Sequence, residues 1–94
     1  MNSENEKKLV TVVIPVFNEV ESLRELNEKI QAAFRSTKYN LEIIIIDDGS
    51  RDGSAQVARE IASTFPNVTV TGFPRNRGKA AALNEGFRLA KGDF

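Results

Sequence analysis

The sequence predicts an α/β fold, a parallel sheet covered by helices, and two observations support this prediction. First, β-branched runs alternate along the chain with segments whose apolar residues recur every three or four positions, giving the order strand, helix, strand, helix, strand, helix. Second, residues 43–46 are four consecutive isoleucines. A strand that is apolar on both faces is typical of a central parallel strand that is covered on both sides.

The first strand and helix are predicted within residues 10–34. Residues 10–14 form a β-branched run, and Pro15, which has no N–H to donate, predicts the end of the strand. Asn18 is a candidate helix cap, with Glu21 three positions later in an arrangement like a capping box. The apolar residues that follow at helical spacing are Leu23, Leu26, Ile30 and Phe34.

The remaining elements follow the same alternation. Residues 41–47 predict the second strand, and a turn over residues 50–54 leads into a second helix that stops at Pro66. Residues 68–71 predict a short third strand near the sheet edge, because apolar and polar side chains alternate there. A third helix is predicted to begin at Gly78. The apolar stripes of these two helices are Val57, Ala58, Ile61, Ala62 and Phe65, and then Ala82, Leu83, Gly86, Phe87 and Ala90.

The composition argues against several classes of function. Lys plus Arg and Asp plus Glu each number 13, and a net charge of zero argues against binding to nucleic acid. The chain has no histidine and no cysteine, so it lacks disulfides, thiolate chemistry and the commonest zinc ligands. No apolar stretch approaches the ~20 residues that cross a bilayer. We therefore expect no membrane segment in these residues.

Three short motifs follow the predicted strands, where open α/β sheets bind their ligands. In the first motif, Pro15 and Phe17 offer an apolar seat for a flat ring, and Glu19 offers an acceptor for ribose or base donors. A purely structural interpretation is at least as good for this motif alone: Pro15 ends the strand, Asn18 caps the helix, and Glu19 favours the helix dipole.

The second motif begins with Asp47 and Asp48, directly after the isoleucine run. Asp, Gly and Ser all favour turns, but a turn needs only one carboxylate. The pair therefore indicates a ligand-binding site. The carboxylates could accept a hydrogen bond from a nucleobase N–H or from ribose hydroxyls, or could hold a metal ion. An EF-hand loop starting at Asp48 is excluded, because Ser50 and Arg59 stand where that loop requires other ligands.

The third motif, residues 75–79, places a glycine and cations at a helix start, which is a natural anion site. A P-loop is excluded, because five residues separate Gly72 from Gly78 and Ala80 follows Lys79. A dinucleotide fingerprint is also absent after the first strand. The alternative is a solvated basic face. We favour phosphate contact because the charge coincides with the helix start.

Together and in this order, the three motifs resemble those of the family 2 glycosyltransferases, over residues 12–19, 46–54 and 76–87. The resemblance implies a GT-A type fold, whose N-terminal half is a Rossmann-like, three-layer α/β/α unit that binds a nucleotide sugar. It also implies transfer of a sugar from a UDP- or GDP-sugar donor with a divalent cation, Mg²⁺ or Mn²⁺. The Asn-x-Gly-Lys pattern is similar to that of members with polyprenyl-phosphate acceptors; a growing polysaccharide is another acceptor that the family implies.

The resemblance also implies a set of site residues. Asp48 matches the position that contacts the base, Asp47 matches an acidic neighbour with a less direct role, and Lys79 matches a residue near the diphosphate. The full nucleotide-binding set is Pro15, Phe17, Asn18, Glu19, Asp47, Asp48, Gly78 and Lys79.

Family members continue beyond a turn like the one at residues 92–94 into a strand that ends in Asp-x-Asp, which holds the metal. That motif is absent from these residues, and they offer no catalytic residue. We therefore expect a flexible arm over residues 1–8 and a truncated GT-A domain over residues 9–94 that does not transfer sugar alone. The strand order should be third, second, first, which leaves the first strand as an edge that can pair two copies into a homodimer. The whole protein would act in the cytoplasm or at the cytoplasmic face of a membrane.

Two alternatives remain open from the residues. The chain could be a stand-alone nucleotide-binding or interaction module without catalysis. It could also be another Rossmann-like nucleotide binder, because a fold does not dictate a function.

Overall fold

The computed structural model describes residues 7–94 and shows a three-stranded parallel sheet with helices on both faces. The strands are β1 (Leu9–Val16), β2 (Asn40–Asp48) and β3 (Val68–Phe73), in the spatial order β1-β2-β3. The helices are α1 (Val20–Arg35), α2 (Ser54–Thr64) and α3 (Lys79–Leu89). The predicted α/β class, element order and strand order are confirmed.

The isoleucine run of β2 supplies the core on both faces of the sheet. Ile43 and Ile45 belong to the cluster that packs β1, β2 and β3 against α1 and α2. Ile44 and Ile46 belong to a smaller cluster on the opposite face, with Ala82 of α3. All four isoleucines are at most 1% exposed. The central strand is therefore covered on both sides, as its lack of alternation predicts.

The buried stripe of α1 differs from the predicted one at a single position. Leu26 is 38% exposed, whereas Asn27 is 1% exposed. Asn27 occupies the inward position because its Oδ1 accepts a hydrogen bond from Gln31 Nε2 at 3.3 Å. Gln31 in turn exchanges hydrogen bonds with Asn67, at 3.0 and 3.1 Å, just before β3. The amide network gives the buried Asn27 oxygen a donor, and a buried oxygen without one would be costly there.

The buried stripe of α3 consists of small residues. Ala82 and Gly86 are buried against the sheet, while Phe87, predicted on the apolar side, is 62% exposed. A Cβ built on Gly86 would lie 2.2 Å from Val13 Cγ1 and 2.8 Å from Ile46 Cδ1. The helix lies so close to the sheet that no larger residue fits at this contact.

The first strand continues through Pro15 to Val16, so the predicted strand end at Pro15 is wrong. Thr11 N–H donates to the Phe94 carbonyl oxygen at 3.2 Å, and Asp93 N–H donates to the Leu9 carbonyl oxygen at 2.7 Å. The backbone groups of Leu9 and Thr11 thus point away from β2, and by the alternation of the strand so do those of Pro15. A proline at this outward position removes no hydrogen bond from the β1–β2 ladder.

Among the described residues, the outer edge of β1 is paired with residues 93–94 near Leu9 and Thr11 and is open farther along. Pro15 offers no donor on the open part, which makes that part a poorer template for another strand. Pairing of two copies through this edge stays a prediction.

The predicted arm over residues 1–8 lies mainly outside the described residues. At its last position the Lys8 carbonyl oxygen accepts a hydrogen bond from Asn40 N–H at 2.9 Å. Within residues 7–94, no helix combines the length and the apolar character of a membrane span.

Candidate functional site

The two aspartates at the end of β2 lie on opposite faces of the sheet. Side chains alternate along a strand, so Asp47 shares the α1 and α2 face with Ile45, and Asp48 shares the α3 face with Ile46. Both aspartates are buried, at 8% and 4% exposure. They line different cavities and are not brought together on one ligand.

The cavity on the α3 face, here the α3-side cavity, has a volume of about 320 Å³. Its walls come from the end of β1, the end of β2 and the start of α3. Six of the eight predicted site residues line it: Pro15, Phe17, Glu19, Asp48, Gly78 and Lys79. Val16 and Asn76 also line it and were not among the predicted residues. Asn76 lies inside the third motif, and its position there is the sequence signal that could have identified it.

Asp48 holds the loop that leads into α3, here the 75–78 loop. Its Oδ1 accepts a hydrogen bond from Arg77 N–H at 2.6 Å, and its Oδ2 accepts one from Gly78 N–H at 3.0 Å. Asn76 Nδ2 donates to the same Oδ2 at 3.0 Å and to the Asp48 carbonyl oxygen at 3.3 Å. The second and third motifs are therefore joined through one carboxylate.

Gly49 provides the surface on which the 75–78 loop lies. It has a φ of +76°, which is left-handed and favours glycine. A Cβ at this position would lie 2.5 Å from the backbone nitrogen of Asn76 and 2.6 Å from the carbonyl carbon of Arg75. The loop thus rests directly on the turn after β2, at a distance that only glycine permits.

The positive charge at the cavity comes from Lys79 and the start of α3. Gly78 caps this helix without a side-chain hydrogen bond, and the first N–H groups of a helix carry partial positive charge. Within residues 7–94, Lys79 takes part in no ion pair. The Arg77 guanidinium instead lies over the Phe73 ring, 4.8 Å from its centroid. Lys79 is therefore the cation of the third motif that lines the cavity.

Asn18 does not cap α1, so the predicted capping box is wrong. It adopts a left-handed conformation, with a φ of 54°. Its N–H donates to Ser50 Oγ at 2.9 Å, and its Oδ1 accepts from Arg51 N–H at 2.8 Å. Asn18 therefore fastens the loop after β1 to the turn after β2, and it lies outside the α3-side cavity.

The start of α1 is capped by Asp52, in the turn before α2, and by Ser54, the first residue of α2. Glu19 N–H donates to Ser54 Oγ at 2.9 Å, and Val20 N–H donates to Asp52 Oδ2 at 3.1 Å. The caps come from more than 30 residues away in sequence, at separations of 35 and 32. The turn after β2 thus supports both neighbouring loops of the site.

Asp52 gives this cap a dependence on pH. The hydrogen bond from the Ser54 hydroxyl, with smaller contributions from the N–H groups of Val20 and Ser54, lowers the pKa of Asp52 below its ordinary value of 3.8. A depressed folded-state pKa adds stability above pH 3.8, and that stability is lost as the pH falls through the lowered pKa.

We expect Asp52→Asn to unfold at a lower urea concentration than the unmodified protein at pH 6, with the difference shrinking towards pH 3. The measurement is the urea midpoint as a function of pH. Glu28→Gln, an exposed change elsewhere on α1, is the control and should show no such convergence. A difference that stays constant with pH would contradict the assignment.

Asp47 lines a second cavity, of about 420 Å³, with Arg59 of α2 and Gly72 of β3. Its Oδ2 accepts a hydrogen bond from Ser50 N–H at 3.2 Å. Its Oδ1 is buried and finds no donor among the described residues. Asp47 thus shapes the turn after β2 and is separated from the α3-side cavity by the sheet.

Within the described part of the chain, no group of three or more Asp, Glu, His or Cys side chains is arranged to hold a metal ion. The residues therefore do not fit a divalent cation by themselves, in agreement with the spread of the two aspartates. What the α3-side cavity combines is a half-exposed aromatic ring, a buried carboxylate and a cationic helix start. That combination suits a ligand with a flat, donor-bearing ring and an anionic end.

Comparisons with known proteins identify the family to which the chain belongs. Residues 11–94 match the model of Glycosyl transferase family 2. The undecaprenyl-phosphate 4-deoxy-4-formamido-L-arabinose transferase of Pseudomonas fluorescens (strain Pf0-1) is 46% identical over 86 residues, which are 89% of this chain and 25% of the relative. The transferase of the same name from Aeromonas hydrophila is 46% identical over 88 residues, or 93% of this chain and 27% of the relative.

Among solved structures, the mannosyltransferase PcManGT from Pyrobaculum calidifontis, in complex with GDP-Man and Mn²⁺, matches with a TM-score of 0.79 and 32% identity. The match covers 96% of this chain and 26% of that chain. The chain spans about a quarter of the length of the curated relatives that it matches. The predicted GT-A type fold is confirmed, and with the family model matched over residues 11–94, the chain belongs to the family 2 glycosyltransferases.

Proposed function

We propose that the α3-side cavity binds the nucleoside diphosphate part of a UDP- or GDP-sugar, and that the whole protein transfers the sugar to a polyprenyl phosphate or a growing polysaccharide. One observation carries the proposal. Residues from three separate motifs, after three different strands, line one cavity. The names of the relatives, which are undecaprenyl-phosphate sugar transferases, support the transfer reaction and the polyprenyl-phosphate acceptor.

The cavity offers a distinct group to each part of such a ligand. The Phe17 ring is 45% exposed and, with Pro15, provides an apolar wall on which a base would stack. The Glu19 carboxylate is exposed and would accept hydrogen bonds from the ribose hydroxyls. At the other end, Lys79 and the start of α3 would attract the diphosphate.

In the transfer step, these residues would bind and orient the donor. A divalent cation belongs to the proposal for the whole protein, because the solved neighbour was captured with Mn²⁺; such a cation supplies Lewis-acid stabilisation of a leaving diphosphate. Within this chain, Lys79 and the N–H groups at the start of α3 would place positive charge beside the same diphosphate and stabilise the negative charge that it gains as it leaves. The walls formed by Pro15, Phe17 and Asp48 would keep the nucleoside, and with it the sugar, in one orientation.

We expect Lys79→Gln to weaken the binding of UDP or GDP by about tenfold, because one charge-assisted contact to phosphate is lost. Binding of uridine or guanosine should not change, since the nucleoside does not reach the lysine. The measurement is calorimetric titration of the folded protein. Lys91→Gln, an exposed lysine just beyond the other end of α3, is the matched control and should leave all affinities unchanged. The proposal fails if neither nucleotide binds, or if Lys91→Gln weakens binding as much.

A further inference from the structure

Most of the hydrogen-bond acceptor positions of the Asp48 carboxylate are filled by the protein itself. An ionised carboxylate has two oxygens with about four acceptor positions. The 75–78 loop fills three of them, with donors from Asn76, Arg77 and Gly78. One acceptor position is therefore left on a side chain that is 4% exposed and lines the α3-side cavity.

The 75–78 loop depends on this carboxylate for its place. Among the described residues, the hydrogen bonds that join this loop to the sheet all end on Asp48, at its carboxylate or its carbonyl oxygen. The loop leads directly into α3, whose first residue is Lys79. Rotation of the Asp48 carboxylate would therefore move the helix start and the lysine together.

We propose that Asp48 and Asn76 form a positioning pair that couples recognition of the base to recognition of the diphosphate. The inference rests on the proposed function of the cavity. A base N–H on the free acceptor position fixes the carboxylate, and the fixed carboxylate holds Arg77, Gly78 and the start of α3 in the orientation that receives phosphate. Because coupling between two ligands is reciprocal, phosphate at the helix start strengthens base binding by the same factor.

Asn76 holds the Asp48 carboxylate in place. Its side-chain amide donates both to the Asp48 carboxylate and to the Asp48 carbonyl oxygen, at 3.0 and 3.3 Å. Asn76 thereby fixes the Asp48 carboxylate relative to the Asp48 backbone. The backbone N–H groups of Arg77 and Gly78 complete the contact between the 75–78 loop and this carboxylate. Loss of this amide should loosen the coupling while the carboxylate itself remains available to a base.

The first test uses the free protein and needs no ligand. In Asp48→Asn, an NH₂ group replaces one carboxylate oxygen and faces donors of the 75–78 loop. We expect the amide hydrogens of Arg77 and Gly78 to exchange about tenfold faster than in the unmodified protein. The amides of Ile44 and Ile45 in β2 should not change and so report that the fold is intact. Unchanged exchange at Arg77 and Gly78 would overturn the positioning role.

The second test measures the coupling itself by calorimetry, with a nucleoside, either uridine or guanosine, and inorganic pyrophosphate added singly and together. We expect the nucleoside to tighten pyrophosphate binding by about fivefold in the unmodified protein. Asn76→Ala should weaken this coupling clearly, whereas Asn84→Ala, a change of an exposed asparagine on α3, should leave the coupling at its original strength. Independent binding of the two ligands to the unmodified protein would overturn the coupling. If neither binds, the proposed function fails with the coupling, while the exchange experiment still decides the role of Asp48.

Discussion

Replacing Gly49 with alanine is expected to displace the 75–78 loop and to abolish measurable binding of UDP and GDP while the sheet stays folded. The added Cβ would lie 2.5 and 2.6 Å from backbone atoms of Asn76 and Arg75, and backbone cannot rotate away as a side-chain end can. The left-handed φ of +76° adds strain of about 1–3 kcal/mol. The measurements are calorimetric titration with each nucleotide and urea unfolding of the same preparation.

Gly53 supplies a matched control for this substitution. It lies in the same turn with a φ of +91°, so alanine there carries a similar backbone strain. Its Cβ would meet only Val20 Cγ2, at 3.9 Å, which is an ordinary contact. Gly53→Ala should therefore lose stability and keep nucleotide binding. If both variants lose binding to the same extent, strain in the turn, and not the position of the 75–78 loop, explains the effect.

The element order and the two-sided core could be predicted because both depend on local pattern. The isoleucine run requires cover on both faces wherever the helices lie, and the alternation of strands and helices then favours a parallel sheet. The position of Asn27 could not be predicted in this way. Its burial depends on Gln31 and, through it, on Asn67, which lies 36 residues beyond Gln31. Hydrophobic periodicity contains no information about such a partner.

The loop after β1 shows the same limit for local signals. The spacing of Asn18 and Glu21 suits a capping box, yet the donors at the start of α1 are satisfied by Ser54 and Asp52. Pro15 likewise predicts a strand end only if the missing N–H is one that the sheet ladder needs, and at the outward edge of β1 the ladder does not need it. Both predictions failed because tertiary structure, and not the local sequence, decides which partners surround these residues.

The site was predictable in outline, because the carboxyl ends of parallel strands meet at one edge of the sheet. The division between Asp47 and Asp48 was also available from the sequence, since adjacent residues of a strand point to opposite faces. The position of Asn76 in the third motif could have identified it as a site residue, but its hydrogen bonds to Asp48 could not be predicted, because they depend on how the 75–78 loop folds back onto β2. The contacts that depend on the path of a loop are thus the part of the site that the sequence pattern does not predict.

The largest loss of stability is expected for Ile45→Ala, at about 2–5 kcal/mol. Ile45 is fully buried and stands in register between Ile14 of β1 and Val70 of β3, in the larger of the two core clusters. Alanine would leave a cavity that the sheet cannot close, because the strands on both sides are fixed by their hydrogen bonds. For a domain of this size, whose total stability is typically about 5–15 kcal/mol, this is a large fraction. Equilibrium urea unfolding measures it.

Two further variants serve as references for the loss of stability expected for Ile45→Ala. Ile45→Val removes one methylene group and should cost about 0.5–1.5 kcal/mol, whereas Thr69→Ala on the exposed side of β3 should stay within about 0.5 kcal/mol. A loss for Ile45→Ala no greater than that for Thr69→Ala would show that this face of β2 is not the main core. The Ile45→Ala protein that remains folded should still bind nucleotide with unchanged affinity, because the 75–78 loop is attached to Asp48 and Gly49 at the strand end. Stability would then depend on the middle of β2, and binding on its carboxyl end.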